Sequence, residues 1–425
     1  MATRREVVSA LAAAATVVAA AKAMPVLAQP AAGTGGDLGP RENFAVEHEV
    51  GHRFRFDPAS LPPPGLQRSA SNGPQTIRYS GQGLSVPPGF TAAPFATGIQ
   101  NPRRLLVLQN GDVLVATQST GDVLLLRDDG SGRAGSRERY AGGFNEPYGL
   151  AWRGNELLVA DQDGIWQVSS PGARPQPITR RGVFGADRGH NNRPIAIDPR
   201  SGALFVGVGS IGNIGIEPEP KATIQRFGSD GSNQTSYAAG TRNPTTLAIH
   251  PQTGELWAGV QERDGLGDNL PSDYLIRVRQ SGFYGWPYAY IGPHPQPGFA
   301  ERAPDKVAAT IVPDLLFQAH SSLLDLVFYE GAQFPAQYRE GAFAALKGSW
   351  NRSVPTGYKI AWVPFKNGRP EGYYENFAVG FWASGEQRAE VWGRPAALAV
   401  AKDGALLVAD DTGGTIWRIA YTGPK

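Results

Sequence analysis

The chain has 425 residues, 41% of them hydrophobic and 18% charged, with a formal net charge of +2; that is ample apolar surface for a large core, and so even a balance excludes an electrostatic nucleic-acid binder. Cysteine is absent, which excludes disulfides, thiolate catalysis, cysteine-ligated iron–sulfur clusters and covalently attached haem, so any redox chemistry needs a borrowed cofactor. Gly (54), Pro (35), Trp (9), Tyr (14) and Phe (18) are all frequent, and no long amphipathic helical pattern follows the first 28 residues, which predicts an all-β chain of short strands and tight turns.

Residues 1–28 read as a signal peptide: Thr3-Arg4-Arg5, a weakly apolar Ala/Val stretch, and Val26-Leu27-Ala28 as a small-residue cleavage site. The arginine pair fits a twin-arginine signal, with an ordinary Sec leader as the alternative. Either route leads to a periplasmic or secreted protein. Removing the leader takes away Arg4, Arg5, Lys22 and Glu6, leaving a formally neutral mature chain with no apolar run long enough to span a bilayer.

Residues 29–80 are rich in Pro, Gly and Ser without strand rhythm and are expected to be an extended arm, dispensable for folding. His48-Glu49-Val50-Gly51-His52 matches H-E-x-x-H, which on a helix sets two imidazoles on one face for zinc. Its place in a Pro/Gly-flanked arm makes it a chance match.

From residue 81 onward the chain repeats itself. NPRRLLVLQNGDVLVAT starts at Asn101, EPYGLAWRGNELLVAD at Glu146, RPIAIDPRSGALFVGV at Arg193, NPTTLAIHPQTGELWAGV at Asn243 and RPAALAVAKDGALLVADD at Arg394. Each is a polar residue, a proline, an apolar strand, a turn that usually carries glycine, and a second strand. A weaker copy begins at Leu323. The first four copies recur at about 45 to 50 residues, the blade length of a β-propeller. The prediction is a six-bladed β-propeller over residues 81–425. Its last copy has only three strands, so residues 85–97 are expected to supply the fourth and close the ring.

Strand starts in a propeller converge on the central axis, which gathers Asn101, Glu146, Arg193, Asn243 and Arg394, with Asn145, His190 and Arg242 beside them. Such a ring suits an anionic, planar or hydroxylated ligand; the plainer reading, that these groups only bond strand-end carbonyls, stays open at this point. The loop Gln261–Ser272, acidic and glycine-rich, has the composition to hold a hard cation.

Taken together, GHNNRPIAIDP (189–199), GTRNPTTLAIHP (240–251), ERDGLGDNLPSDYL (262–275), GFYGWPYAY (282–290), AHSSLLDLVFY (319–329), ALKGSW (345–350) and WGRPAALAV (392–400) resemble the sorbosone dehydrogenase family, itself similar to soluble quinoprotein glucose dehydrogenase. The resemblance spans about residues 81–421 and implies an oxidoreductase that uses pyrroloquinoline quinone (PQQ) and Ca²⁺ to oxidise a sugar, a sorbosone-like sugar aldehyde or a related alcohol. Electrons would pass to an external acceptor, a quinone or cytochrome. It implies His190 as general base, Arg242 as the group that polarises the quinone carbonyl, Asn243 as a hydrogen-bonding partner of the ring, Lys347 and Arg394 as holders of the quinone carboxylates, and the backbone carbonyls of Arg263 and Asp264 as calcium ligands.

The residues that seat glucose in glucose dehydrogenase lack counterparts, Phe144 or Asn145 and Gly189 standing in their places, so the pocket does not read as glucose-specific. His320 is expected either to border the substrate pocket or to support the fold. Two other classes remain in view: a lactonase-type hydrolase, which needs axial carboxylates for a metal where this chain has mostly Asn and Arg, and a non-catalytic sugar- or protein-binding propeller.

If the leader is read by the twin-arginine route, replacing both Arg4 and Arg5 by Lys will leave folded protein in the cytoplasm. Cell fractionation decides this, and normal export of the double-lysine variant assigns the leader to Sec.

Overall fold

The computed structural model describes residues 33–34, 38–185 and 189–424; the leader lies outside them. Residues 32–425 cluster into one compact unit, and strands dominate it. Six sheets of at least four strands follow one another among the described residues. The first is built from Pro102–Val107, Val113–Thr117, Asp122–Asp128 and Ala134–Gly142. The second starts at Gly149–Arg153 and the third at Ile195–Ile197. Asn243–Ile249, Leu256–Gln261 and Tyr274–Arg277 open the fourth, whose outer strand, Leu315–Leu316, arrives only after a long excursion. The fifth contains Leu323–Phe328, Gly341–Leu346, Lys359–Lys366 and Tyr374–Ala378. The sixth contains Pro395–Val400, Leu406–Asp410 and Thr415–Tyr421, and Phe90–Ala96 pairs antiparallel with the last of these.

The first strands of successive sheets touch in order, and the first strand of the sixth sheet touches that of the first. Their apolar side chains fill the spaces between sheets: Leu114, Val123, Leu150 and Val159 pack between the first and second, and Leu105, Val115, Ala397 and Leu407 between the first and sixth. Burying such alternating aliphatic residues is what drives sheets of this length to stack.

The proline of the repeat has a structural reason. The ladder shifts register between Pro102 and Arg104, Pro244 and Thr246, and Pro395 and Ala397, and also between Leu323 and Asp325. A β-bulge tolerates a residue without an N–H donor and re-aims the side chains around it. In the first sheet it lets the consecutive Arg103 and Arg104 both approach the ring of Tyr148, at 5.6 and 5.3 Å.

The arm departs from expectation. Pro40–His48 is a helix, started by Pro40 and with Glu42 in its first turn, and Arg53–Arg55 joins the fifth sheet against Tyr374 and Glu375. The cause is a buried ion pair. The Glu47 carboxylate meets Lys359 Nζ at 2.8 Å, with side-chain exposures of 0% and 1%, and accepts bonds from Thr356 Oγ1 (2.6 Å) and Gly357 N (3.1 Å). The same ammonium lies 4.0 Å from the centroid of Phe54, and Phe54 stacks on Tyr374 at 5.0 Å. Burial pulls the Lys359 pKa down despite its partner. Part of the arm is therefore core.

The helix ends at His48, whose ring nitrogens bond the carbonyls of Phe44 and Trp382, while His52 bonds Glu49. The H-E-x-x-H spacing is not helical here and makes no zinc face.

Glu47→Ala strands a buried ammonium and is expected to cost about 3–5 kcal/mol in urea unfolding, whereas Glu47→Leu combined with Lys359→Met recovers most of that loss. An unchanged midpoint for Glu47→Ala would restore the picture of a dispensable arm.

Candidate active site

The bulged strand starts and the ends of the second strands share one rim, because Pro102 pairs with Thr117, Asn243 with Gln261, Leu323 with Leu346 and Pro395 with Asp410. On this rim lies a pocket of about 250 Å³ lined by His190, Arg242, Gln261, Glu262, Asp264, Asp273, His320, Ser322, Trp350 and Asn351.

His190 sits just before the first strand of the third sheet. Its backbone N donates to Ser210 O (3.0 Å) and its Nδ1 lies 2.9 Å from the same carbonyl. A carbonyl only accepts, so Nδ1 carries the proton and the neutral ring keeps the lone pair on Nε2. A Cβ on Gly209 would come within 2.6 Å of His190 Cβ and 2.7 Å of Asn243 Oδ1, so glycine there is a condition of the histidine's position. Burial, with Arg242 and Arg193 nearby, holds the His190 pKa down at about 4. The imidazole is neutral at pH 7.

Arg242 is fixed in plane: Nε donates to Asn213 O (3.1 Å), Nη2 to Asn213 Oδ1 (3.1 Å) and Nη1 to Glu262 O (2.7 Å). Asn243 is held at both ends of its amide, donating to Gln261 Oε1 (3.0 Å) and accepting from Asn192 Nδ2 (3.4 Å). It is a strut of the rim in this conformation rather than a group open to a ring.

Lys347 follows the second strand of the fifth sheet, and its N donates to Ser322 O. Its ammonium pairs with Asp411, which also binds Arg103. Burial and the neighbouring Arg103 draw the Lys347 pKa down to about 8 against the pull of Asp411. Burial alone would raise the Asp411 pKa, but Lys347 and Arg103 outweigh it and lower it. Arg394 donates to Lys347 O (3.1 Å) and Gly348 O (2.7 Å) and lies 5.6 Å from the Tyr358 ring. Gly348, at φ 97°, lets that ring close in, since a Cβ there would meet it at 2.1 Å.

Of the two carbonyls expected to bind calcium, that of Asp264 is engaged by protein donors. The Asp264 carbonyl accepts from Asn213 Nδ2 (2.9 Å) and Arg263 Nε (2.8 Å), so both its lone pairs are taken, and a cation needing six to eight oxygens would have to displace them. The pocket's acidic groups are Glu262, Asp264 and Asp273. Burial raises Glu262 to about 7 and Asp273 to about 6, and Asp273 accepts bonds from Glu262 N and Leu323 N. Among the described residues no three His, Asp or Glu side chains are grouped to hold a metal.

Of the expected set, His190, Arg242 and Asp264 line one pocket, with Asn243, Lys347 and Arg394 on the rim beside it. His320 belongs to the pocket; its Nε2 bonds Gly267 O and its Nδ1 meets Asn351 Nδ2. Sequence reasoning missed Asp411, Asn213 and Asn351 as partners. Asp411 had a signal, the doubled Asp in VADD where the copy from Glu146 has one.

The Glucose / Sorbosone dehydrogenase family model matches residues 186–355, in agreement with the resemblance read from the motifs, and a TrAA12-like model matches residues 301–422. The chain is 28% identical over 357 residues to an uncharacterized protein of Borreliella burgdorferi, covering 80% of this chain and 91% of that one. It is 24% identical over 335 residues to a pyrroloquinoline quinone-dependent pyranose dehydrogenase of Coprinopsis cinerea, covering 66% of this chain and 45% of that enzyme. The holo PQQ domain of the Coprinopsis enzyme superposes with a TM-score of 0.67 at 19% identity, over 82% of this chain and 99% of the domain. The PQQ-bound aldose sugar dehydrogenase of Streptomyces coelicolor gives 0.56 at 18%, over 79% and 99%. These superpositions show a shared fold.

The His190 ring is expected to titrate with a midpoint near pH 4, followed by NMR of its Cε1 proton. An unfolded histidine titrates near 6.5, so between those values the unfolded chain binds more protons; the stability contributed by the neutral ring is complete above pH 6.5 and is lost as the pH falls toward 4. A midpoint above 6 would mean that the ring is hydrated rather than desolvated beside Arg242.

Proposed function

We propose that this protein is a PQQ-dependent dehydrogenase of a sugar, a sugar aldehyde or a related alcohol, working outside the cytoplasm and passing electrons to an external acceptor. In this reading the six sheets are blades of a propeller closed by Phe90–Ala96. The observation that carries it is the neutral His190, its Nδ1 committed to Ser210 O, in a pocket it shares with a guanidinium fixed in plane. PQQ, when bound, supplies a two-electron acceptor for the hydride leaving the substrate carbon. His190 Nε2 takes the hydroxyl proton. Arg242 stabilises negative charge developing on an oxygen in the pocket, and its three bonds to Asn213 and Glu262 mean that it need not reorganise to do so.

The residues fit a planar polycarboxylate. Lys347, Arg394 and Arg103 gather at two neighbouring carboxylates, Asp411 and Asp410, so cations still exceed carboxylates by one, which suits acidic groups of a ligand. Calcium is not assigned a role in any step, since the Asp264 carbonyl is engaged by protein donors. A lactonase-type reading has less support: Asp325, the carboxylate shared by several first strands, is engaged by Arg104, Thr246 and the backbone of Leu326 and Leu398.

The test is reconstitution of purified apoprotein with PQQ, with Ca²⁺ or with EDTA, followed by dye-coupled assay on sugars, sugar aldehydes and alcohols. No turnover and no PQQ binding in either condition would leave the binding-module reading. His190→Gln is expected to keep PQQ binding while kcat falls about 10²–10⁴-fold. Lys347→Ala removes a charge-assisted contact and leaves Asp411 less compensated, so the PQQ concentration for half-reconstitution should rise about 10- to 150-fold with a much smaller change in kcat at saturation.

A further inference from the structure

Trp350 is the only one of the nine tryptophans with an exposed side chain, at 51%. A lone exposed apolar residue is ordinary on a protein surface, but this one lines the pocket that holds His190. Its main chain is pinned on both sides. Ser349 N donates to Thr356 O (2.9 Å), Asn351 Nδ2 bonds Asp264 Oδ1 (2.5 Å) and meets His320 Nδ1 (3.0 Å), and the Trp350 carbonyl accepts from Asn72 N (2.7 Å). Asn72 is itself clamped, its Nδ2 bonding Ser353 O (3.0 Å) and Gln387 O (2.8 Å). The N-terminal segment thus reaches the mouth of the site and holds a large aromatic face there.

The same pocket is lined by Asp264 and Asn351, which offer a carboxylate and an amide oxygen to hydroxyls. A cyclic sugar has the matching chemistry: one face of C–H bonds to lie against an aromatic plane, and hydroxyls around its edge for polar side chains. An open-chain aldehyde or polyol presents no such flat face. We infer that the Trp350 indole is a platform for the ring of a pyranose and selects cyclic sugars over acyclic substrates, with Asn72 as a positioning residue that holds it. The inference rests on the sugar-oxidising reading and narrows its substrate class.

Two measurements test it. In apoprotein labelled with 5-fluorotryptophan, the resonance missing from Trp350→Phe should shift on titration with methyl pyranosides and stay still with sorbitol; no shift with any pyranoside of a panel, or equal shifts with sorbitol, overturns the platform. In the PQQ-loaded enzyme, Trp350→Ala should raise KM for its preferred pyranose about 10-fold with kcat little changed, leave KM for glyceraldehyde unchanged, and be largely rescued by Trp350→Phe. Asn72→Ala should raise the same KM by a smaller factor. An unchanged KM in Trp350→Ala, or an equal loss on glyceraldehyde, counts against the platform. If wild type with PQQ oxidises nothing, the dehydrogenase reading falls, and the fluorine titration, which needs no cofactor, still decides whether the indole meets a sugar ring.

Discussion

One buried carboxylate ties the sheets together. Asp325, on the first strand of the fifth sheet, accepts from Arg104 of the first, from Thr246 Oγ1 of the fourth (2.8 Å) and from Leu398 N of the sixth (2.9 Å). Tyr148, at the entry to the second, reaches across to the carbonyls of Thr245 (2.9 Å) and Leu324 (3.2 Å). A charge taken this far from water is tolerable only when its lone pairs are filled, and removing a partner leaves an uncompensated group. The hub therefore fixes the strand starts relative to one another, and the rim residues sit within a few positions of it: Arg103 beside Arg104, Asn243 three before Thr246, Ser322 three before Asp325, Arg394 four before Leu398.

The rim divides into two electrostatic regimes. Around Asp411 and Asp410 the cations Arg103, Lys347 and Arg394 exceed the carboxylates by one. Around His190 the opposite is achieved, because burial and two guanidiniums keep the imidazole uncharged. The proposed roles need this contrast, since a base must be unprotonated and a carboxylate holder charged. The difference lies in the neighbours, since His190 faces two guanidiniums while Lys347 has the Asp411 carboxylate within reach.

The N-terminal segment connects fold and site. Its helix is anchored by Glu47 under Lys359, its strand extends the fifth sheet, and further along the same segment Asn72 holds the backbone of Trp350. Composition alone made this stretch look unstructured, since Pro and Gly dominate it and no period-2 or 3.6 pattern runs long enough to read. Its order comes from partners some 300 residues away, such as Thr356 and Trp382.

What the sequence determined by itself was everything written in short-range repetition. The alternating apolar strands, the polar-Pro starts and the recurring turns specify sheets of a given length in a given order, because side-chain period and turn chemistry are local properties. The motif set also named His190 and Arg242, which line one pocket, and Lys347 and Arg394 at neighbouring strand ends. Only the tertiary structure decided which charges meet. Asp411 with Lys347, Glu47 with Lys359 and Asp325 with Arg104 are separated by tens to hundreds of residues, and nothing in the spacing of either partner names the other. The same holds for the Asp264 carbonyl, which the family resemblance offered to a cation and Asn213 occupies, and for Trp350, whose exposure follows from where the pocket opens. Desolvation and pairing depend on the whole packed neighbourhood of a group, and that neighbourhood exists only after the sheets have closed on one another.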